Sequence, residues 1–365
     1  MTTPHVLSGI DRVITGQVTL PKQRYGLVTA AHARTLDGTS SRQALAEHVE
    51  LTYLFSPEHG LEGVAMAGDK VSSDTDRMTG LPVQSLYQSH GADELIPQDV
   101  MGKVDAFIYD LPDVGVRFYT YISTCFQILE AAAASGKPVY ILDRPNPLGG
   151  EVFEGMTQKE KDYNFIGAYS LPIRYGLTMG ELANLYVSEK KLNVELEIVE
   201  CDGLKRSMYY PDTGQVFTIP SPNIPNWETT VLYPGTCLIE GTNLSEGRGT
   251  GRPFTWFGAP WIDQEELATA LSKLDHPGLA IRAQGYIPTY SKNKDQHCQG
   301  VALEITDHQA VRSVKFMVEA IDVIKALYPD EFEFINPWQT NVASIERHMG
   351  SDFLKDGWKT DAFVQ

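Results

Sequence analysis

The sequence predicts an α/β fold of two domains, the first built on a parallel sheet. Short apolar stretches that are typical of buried strands alternate with helical stretches over the first 200 residues, which indicates βαβ units. A chain of 365 residues is also too long for one ordinary core. From about Cys201 prolines and glycines cluster, which indicates a crossover. The predicted domains are therefore residues 1–205 and residues 206–365.

Five strands and three helices are predicted in the first domain from apolar periodicity and from turn residues. The strands span residues 25–30, 51–55, 104–110, 138–143 and 194–199, and the helices span 41–49, 118–134 and 179–189.

The second domain is predicted to be smaller and of α+β type. It contains a helix over 263–274 with Asp263 as N-cap, strands over 278–283 and 300–306, a helix over 308–328 and a short helical tail after Pro337. In the helix over 308–328 one apolar face predicts a core stripe of Val314, Met317, Ile321, Ile324 and Tyr328.

Composition narrows the classes of partner and cofactor. The formal net charge of −17 argues against binding to nucleic acid or to an anionic membrane surface, because both bind to positively charged protein surfaces. The four cysteines lie far apart without metal-ligand spacing, so free thiols and no metal are expected. No stretch reads as a membrane span or a signal peptide, so we expect a cytoplasmic protein unless a leader has been removed.

Common catalytic fingerprints are absent from the sequence. There is no G-x-x-x-x-G-K-[ST], no H-E-x-x-H, no G-x-S-x-G and no G-x-G-x-x-G. Phosphate-binding, zinc-hydrolase and serine-hydrolase chemistry therefore lose support, and no cofactor is expected.

Polar residues follow the ends of three predicted strands. Because ligands of open α/β sheets bind outside the carboxyl ends of strands, we expect these residues to gather at one edge. The group consists of Glu58, His59, Asp110, Asp113, Asp143 and Arg144.

Glu58 is the best candidate for a catalytic acid. It stands in the turn Ser56-Pro57-Glu58-His59-Gly60 after an apolar strand, where partial burial would raise its pKa into a useful range. The alternative is a structural carboxylate that caps a helix or pairs with an arginine. His59 could orient the carboxylate or shuttle a proton, although a lone histidine is more often structural.

The stretch from Ile239 to Phe254 predicts a loop held in one shape. It combines two carboxylates, two guanidiniums and four glycines without helical or strand periodicity. Glu240 and Glu246 are candidate carboxylates, and Arg248 and Arg252 are candidate anion ligands. The alternative for the stretch is a glycine-rich surface turn with solvated charges, and the alternative for Glu240 and Glu246 is pairing with Arg248 or Arg252.

The segment from Asp110 to Tyr121 places an arginine and two tyrosines near the N-terminus of the predicted helix over residues 118–134. Arg117 could bind an anion beside the helix N-terminus, and Tyr119 or Tyr121 could stack on a sugar ring. The alternative for one of the tyrosines is a place in the core.

Five blocks of this sequence resemble the signature blocks of the bacterial exo-β-N-acetylmuramidases of the NamZ type, in the same order along the chain. They are residues 56–60, 110–121, 142–150, 221–223 and 233–254. The resemblance implies a Rossmann-like N-terminal domain, a smaller C-terminal domain and an active cleft between them. It also implies release of N-acetylmuramic acid from peptidoglycan fragments, with Glu58 matching the glutamate suspected of catalysis. The arginines would meet the lactyl carboxylate of the substrate.

The sequence departs from the family pattern at four positions. Ala31 stands where asparagine is usual, Glu62 where arginine is frequent, Pro112 where glutamine is common and Tyr175 where histidine is common. These departures concern the identity of the glycan more than the fold or the reaction.

The sequence therefore predicts an exo-acting glycoside hydrolase for muramyl saccharides derived from peptidoglycan. Glu58, His59 and Glu240 are the catalytic candidates. The candidates for substrate binding are Asp110, Arg117, Tyr119, Tyr121, Asp143, Arg144, Asn146, Asn223, Asn243, Glu246, Arg248 and Arg252. A non-catalytic sugar-binding protein is the alternative from another class, and a nucleotide-dependent transferase is a third reading.

Overall fold

A computed structural model describes residues 5–65, 74–87, 96–337 and 344–350. The chain forms two compact units. The first unit comprises Met1–Gly115, Tyr119–Val152 and Gly176–Pro222, and the second comprises Val116–Phe118, Phe153–Tyr175 and Asn223–Gln365. The chain thus passes between the units more often than the single predicted crossover, and the predicted boundary at 205 falls within the last segment of the first unit.

The first unit is built on a seven-stranded sheet with the order β3-β4-β2-β1-β5-β6-β7. The pair β3 and β4 is antiparallel and the other pairs are parallel. The α/β class is therefore confirmed. The strands are β1 (Arg24–Val28), β2 (Glu50–Ser56), β3 (Asp74–Thr75), β4 (Pro82–Ser85), β5 (Ala106–Tyr109), β6 (Val139–Leu142) and β7 (Leu196–Val199).

Central strands β5 and β6 are buried along their whole length, as expected for parallel strands covered on both faces. The first unit also contains helices α1 (Gly9–Ile14), α2 (Ser41–Ala46), α3 (Gln98–Met101), α4 (Tyr121–Ser135) and α5 (Met179–Lys190), with a 3-10 turn at Tyr210–Thr213. Helix α4 ends at Gly136 in the left-handed conformation, and α5 begins with a capping box of Thr178 and Glu181.

The second unit contains a three-stranded antiparallel sheet with the order β8-β10-β9. Its strands are β8 (Trp256–Ala259), β9 (Leu279–Tyr286) and β10 (Cys298–Ile305), and its helices are α6 (Trp227–Thr236), α7 (Gln264–Leu271), α8 (Ser313–Leu327) and α9 (Ser344–Met349). Two 3-10 turns, Glu160–Asp162 and Cys237–Gly241, complete it.

Several details of the second unit agree with the sequence. Asp263 caps α7 through hydrogen bonds from the backbone N–H groups of Glu265 and Glu266. The predicted stripe of α8 is buried from Val314 to Tyr328. The helix begins at Ser313 rather than at residue 308, because Asp307 and Ala310 form a turn instead. Helix α6, which contains Pro234, was not predicted.

None of the helices among the described residues is both long and apolar enough to cross a lipid bilayer.

Candidate functional site

A tight turn after β2 presents Glu58 at the carboxyl edge of the large sheet. The Glu58 side chain is buried, and its Oε2 accepts a hydrogen bond of 2.6 Å from Thr120 Oγ1. His59 and Gly60 both adopt left-handed backbone conformations, with φ of 70° and 76°. Two such residues in succession reverse the chain sharply, and a histidine in this region stores strain. His59 Nδ1 lies 2.7 Å from the carbonyl oxygen of Ala65, which closes the turn.

Asp110 and Arg144 follow β5 and β6 and form a buried bidentate ion pair. The Nε and Nη2 atoms of Arg144 lie 2.6 and 3.0 Å from the two carboxylate oxygens of Asp110. Arg144 also donates to the carbonyl of Arg34 and to Ser41 Oγ. Burial lowers the pKa of Arg144, but the attraction of Asp110 outweighs it and the pKa is raised. Both residues therefore lie at the expected edge, where they bind each other and other groups of the protein.

Asp143 and Asn146 also lie after β6. The side chains of both form hydrogen bonds that fix the backbone of neighbouring segments. Asp143 accepts hydrogen bonds from Thr178 Oγ1 and from the N–H of Gly180, so it caps α5. Burial raises the pKa of Asp143 to about 6, although these hydrogen bonds lower it. Asn146 donates to the carbonyl of Leu177 and accepts from the N–H of Leu148. These contacts favour a structural role for both residues over direct substrate binding.

Tyr119 and Tyr121 form an aromatic cluster with a histidine that the sequence analysis did not select. Both tyrosine hydroxyls donate to the carbonyl of Pro220, at 3.0 and 3.4 Å. The ring of His32 stacks on Tyr121 at a centroid distance of 5.6 Å. Neither ring nitrogen of His32, which is 6% exposed, has a hydrogen-bond partner in the part of the chain that the structure describes. Burial, followed by the positive charge of Arg144, lowers the pKa of His32 to about 3.

A pocket opens beside this cluster and is formed entirely by the first unit. Its lining residues are Pro112, Asp113, Arg144, Pro145, Pro147, Tyr210, Gln215, Phe217, Thr218 and Pro220. Asp113 was expected at this edge, but it was not among the candidates for catalysis. Burial raises its pKa to about 7, although backbone N–H groups of Gly115 and Val114 lower it.

The prediction that Arg117 binds an anion is not supported by its contacts. The guanidinium belongs to the second unit and is buried, and it donates to the carbonyls of Met156, Leu171 and His348. Burial lowers its pKa to about 10. With its Nη atoms held by three carbonyl groups, Arg117 ties distant segments of the second unit together.

The predicted rigid loop is held by an ion-pair network within the second unit. Arg248 lies 2.5 Å from Glu240 Oε1 and 3.0 Å from Glu246 Oε1, and it stacks over Phe254. Lys292 reaches the other oxygen of Glu246 at 3.0 Å. Lys292 also donates to the carbonyl of Ile239, in the middle of the 3-10 turn Cys237–Gly241, and to that of Thr242 just after the turn. The alternative in which Glu240 and Glu246 pair with a nearby arginine is therefore found, with Arg248 as the partner of both.

Glu240 is poorly suited to donate a proton. Burial alone would raise its pKa, but Arg248 and His348 outweigh burial and hold the pKa well below its usual range. A carboxylate that stays ionised can stabilise positive charge, but it cannot act as a general acid. The structure thus favours a structural or electrostatic role for Glu240.

The remaining candidates of the second unit are also bound to their surroundings. Arg252 pairs at 3.0 Å with Glu304, near the end of the middle strand β10 of the small sheet. Asn223 accepts a hydrogen bond from the hydroxyl of Tyr290. Asn243 donates to the carbonyl of Glu331 and accepts from the N–H of Glu333.

One group of metal-type donor atoms occurs among the described residues. Atoms of Cys237, Glu240 and His348 lie within 4.8 Å of one another. The donor types would suit zinc, but Arg248 already neutralises Glu240 at 2.5 Å and would repel a second cation. The arrangement therefore fits an ion pair better than a metal centre.

Comparison with known proteins identifies the family. The profile described as "Exo-beta-N-acetylmuramidase NamZ, N-terminal" matches residues 25–228, and the corresponding C-terminal profile matches residues 231–363. The chain belongs to the NamZ family of exo-β-N-acetylmuramidases. The expectation drawn from the signature blocks is confirmed.

Relatives of the NamZ family match almost the whole chain. Peptidoglycan β-N-acetylmuramidase NamZ of Bacillus subtilis (strain 168) is 42% identical over 355 residues, which are 96% of this chain and 84% of the relative. The crystal structure of a DUF1343 family protein of Bacteroides fragilis NCTC 9343 has a TM-score of 0.85 and 31% identity, covering 96% of this chain and 91% of that one. A second protein with the same description and source has a TM-score of 0.73 and 25% identity, covering 98% and 92%.

Two departures from the NamZ family pattern have a structural account. The carboxylate of Glu62 lies 2.8 Å from Arg42, whose Nη2 also lies 3.4 Å from Asp76, so the added carboxylate near the Glu58 turn shares one guanidinium partner with Asp76. Tyr175 is almost completely buried and is a core residue of the second unit.

Proposed function

We propose that this protein is an exo-acting glycoside hydrolase that releases terminal β-linked N-acetylmuramic acid from peptidoglycan fragments. Membership of the NamZ family over both profiles supports this reaction. The substrate class follows from the B. subtilis relative, which is named a peptidoglycan β-N-acetylmuramidase.

The observation that carries the proposal is the placement of Glu58. It is the carboxyl group that a strained turn presents at the carboxyl edge of the large sheet, where α/β proteins bind ligands. Thr120 fixes the carboxyl group, so the side chain is held in one orientation before substrate arrives. We assign Glu58 as the general acid that protonates the glycosidic oxygen as the bond to C1 of the muramic acid breaks.

His59 has a supporting role in this proposal. Its backbone conformation makes the reversal after Glu58, and its ring anchors the turn to Ala65. It therefore sets the position of the neighbouring carboxyl group rather than transferring a proton itself.

The test is incubation with a disaccharide of N-acetylmuramic acid β-linked to N-acetylglucosamine, followed by mass analysis of the products. We expect the two monosaccharides from the wild-type protein and none from a folded Glu58→Gln variant. Binding of the disaccharide without turnover by the wild-type protein would instead favour the non-catalytic sugar-binding protein.

A further inference from the structure

Thr120, which holds Glu58, is the N-cap residue of helix α4 but does not cap it with its side chain. Its backbone is helical, with φ of −70° and ψ of −8°, and among the described residues its side chain accepts no hydrogen bond from the first turn of α4. An N-cap threonine ordinarily accepts such a bond, which stabilises the start of the helix. Here the hydroxyl donates to Glu58 instead. Other groups must therefore hold the start of α4.

Two tyrosine hydroxyls on either side of Thr120 converge on one carbonyl group. Tyr119 and Tyr121 both donate to the carbonyl oxygen of Pro220, at 3.0 and 3.4 Å, and their rings meet edge to face with centroids 4.7 Å apart. A carbonyl oxygen has two lone pairs, so it can accept both hydrogen bonds. The bond from Tyr119 is the shorter one and therefore the stronger anchor.

A third tyrosine holds the same segment from the sheet. Tyr109, the last residue of β5, donates a hydrogen bond of 2.8 Å to the carbonyl of Tyr121. Burial raises the pKa of Tyr109 and of Tyr121, so both hydroxyls stay protonated and remain donors. The ring of His32 also stacks on that of Tyr121. Both neighbours of Thr120 are thus fixed by contacts of their own.

The acceptor carbonyl of Pro220 belongs to the same framework. Two residues before it, Thr218 donates a hydrogen bond of 2.7 Å to the carbonyl of His32. The N–H of Ala31, the residue before His32, donates to the carbonyl of Leu61 at 2.6 Å, at the end of the turn that follows β2. The turn that carries the proposed acid and the segment that orients it are therefore joined within the first unit.

Packing alone does not require the three tyrosine hydroxyls. Phenylalanine would fill the same space, and a buried hydroxyl costs free energy unless it is hydrogen-bonded. Tyr109, Tyr119 and Tyr121 are all buried, and each uses its hydroxyl to bind a carbonyl of Pro220 or of Tyr121 itself. Because hydrogen bonds are directional, they fix the orientation of this backbone and hence the direction of the Thr120 hydroxyl.

We propose that Tyr119 and Tyr109 are positioning residues, which act through Thr120 to hold the carboxyl group of Glu58 in place for protonation of the glycosidic oxygen. The proposal rests on the proposed function. The tyrosines exchange no proton with the substrate in this role. They determine only where the carboxyl group of Glu58 points when the bond to C1 breaks.

Misplacing a general acid leaves a specific kinetic signature. A leaving group that is stable as an anion departs without a proton, whereas a basic leaving group needs the acid. A misplaced Glu58 therefore lowers kcat/KM on a phenyl β-muramide and spares a dinitrophenyl β-muramide. A loss of folded protein or of sugar binding lowers both rates alike, because the two substrates carry the same sugar.

The test variants are Tyr119→Phe and Tyr109→Phe, which keep the rings and remove the hydroxyls. We expect each to lower kcat/KM on the phenyl muramide by about twofold to tenfold and to leave the dinitrophenyl muramide unchanged. In a Thr120→Val background neither should add a further loss, because the effect passes through Thr120. If Tyr119→Phe fails to fold, Tyr109→Phe tests the same segment from the sheet.

Tyr25→Phe is the matched control. Tyr25 is a buried tyrosine of the same unit near the amino end of β1, and its hydroxyl also donates to a proline carbonyl, that of Pro21, at 2.7 Å. The variant should lose a comparable amount of stability without changing the ratio of the two rates.

The outcomes separate this proposal from the proposed function. Equal losses on both muramides, full activity of both variants, or losses that add fully to that of Thr120→Val would overturn the role of the tyrosines. A ratio that changes as much in Tyr25→Phe as in Tyr119→Phe would also overturn it. Glu58→Gln should show the same selective loss in a stronger form. If it does not, or if the wild-type protein hydrolyses no muramyl glycoside, the proposed function itself fails, whatever the tyrosine variants do.

Discussion

Thr120 donates a hydrogen bond of 2.6 Å to the carboxylate of Glu58, across 62 positions of sequence. This contact joins the start of α4 to the turn after β2, so the orientation of the proposed acid depends on a residue that has no other part in the chemistry.

Thr120→Val should lower kcat while the protein stays folded. The substitution keeps the branched shape but removes the donor, and a hydrogen bond to the neutral carboxyl group of a general acid contributes about 0.5–1.5 kcal/mol, or roughly twofold to tenfold in rate. Steady-state kinetics on a muramyl substrate measure the effect. Thr124→Val, one turn along the same helix, is the control, because among the residues that the structure describes the hydroxyl of Thr124 donates only to the carbonyl of Thr120. Equal kinetics in the two variants would remove Thr120 from the site.

His32 should stay neutral far below the usual range of histidine. Because burial lowers its pKa to about 3, its Cε1–H resonance should not titrate between pH 8 and about pH 5 in an NMR experiment. In urea all histidines should titrate near pH 6.5. A His32 resonance that titrates near pH 6.5 in the folded protein would contradict the burial seen here.

The same shift links His32 to stability. A folded pKa below the unfolded value stabilises the protein above about pH 6.5, and this contribution is lost as pH falls toward 3. A His32→Leu variant should therefore lose less stability than the wild type between pH 7 and pH 4, as measured by urea unfolding.

Arg248→Met should destabilise the second unit strongly. The substitution leaves the buried carboxylates of Glu240 and Glu246 without their shared partner, which costs about 3–5 kcal/mol. Urea unfolding measures the loss. Arg282→Met is the control, since that guanidinium is 60% exposed and its pair with Glu304 contributes at most about 1 kcal/mol. Similar losses in the two variants would show that the network adds no stability.

Acid should reduce the difference between Arg248→Met and the wild type. The depressed pKa of Glu240 stabilises the folded protein above the unfolded pKa of about 4.3, and this contribution is lost as pH falls through the folded value. Below pH 4 the two proteins should therefore become more alike in stability. A constant difference from pH 7 to pH 3 would show that the carboxylates do not carry the effect.

Asp113→Asn should raise the melting temperature more at pH 8 than at pH 5. A raised pKa means that the folded protein holds the proton more tightly, so wild-type stability falls as pH rises from about 4 to about 7. Asparagine lacks this charge, and a gain of roughly 1–3 °C at pH 8 would be the expected size. The same gain at both pH values would point to a packing effect instead.

The sequence predicts the sheet and its edge well because both rest on local patterns. Glu58, Asp110 and Arg144 each follow an apolar strand, and the structure puts all three at the carboxyl ends of β2, β5 and β6. Their partners could not be predicted, because they depend on which strands become neighbours. The bond from Thr120 to Glu58 and the pair of Asp110 with Arg144 are contacts of that kind.

Two residues show where local patterns fail. His32 follows β1 just as Glu58 follows β2, but a histidine among alanines has no motif, and only its burial without partners reveals it. Arg117 stands in a run that suggests anion binding, yet one of its acceptors, the carbonyl of His348, lies 231 positions away. That the two domains share a cleft stays a prediction.

The short segment Val116–Phe118 belongs to the second unit although it lies within the sequence of the first. Val116 pairs with Arg174, and Arg117 binds the carbonyls of Met156, Leu171 and His348. A fragment that begins at Asn223 would lack both this segment and Phe153–Tyr175. The carbonyl of His348 would then lose its hydrogen bond from Arg117. The two halves are therefore not interchangeable modules: no single cut in the gene can release either of them whole.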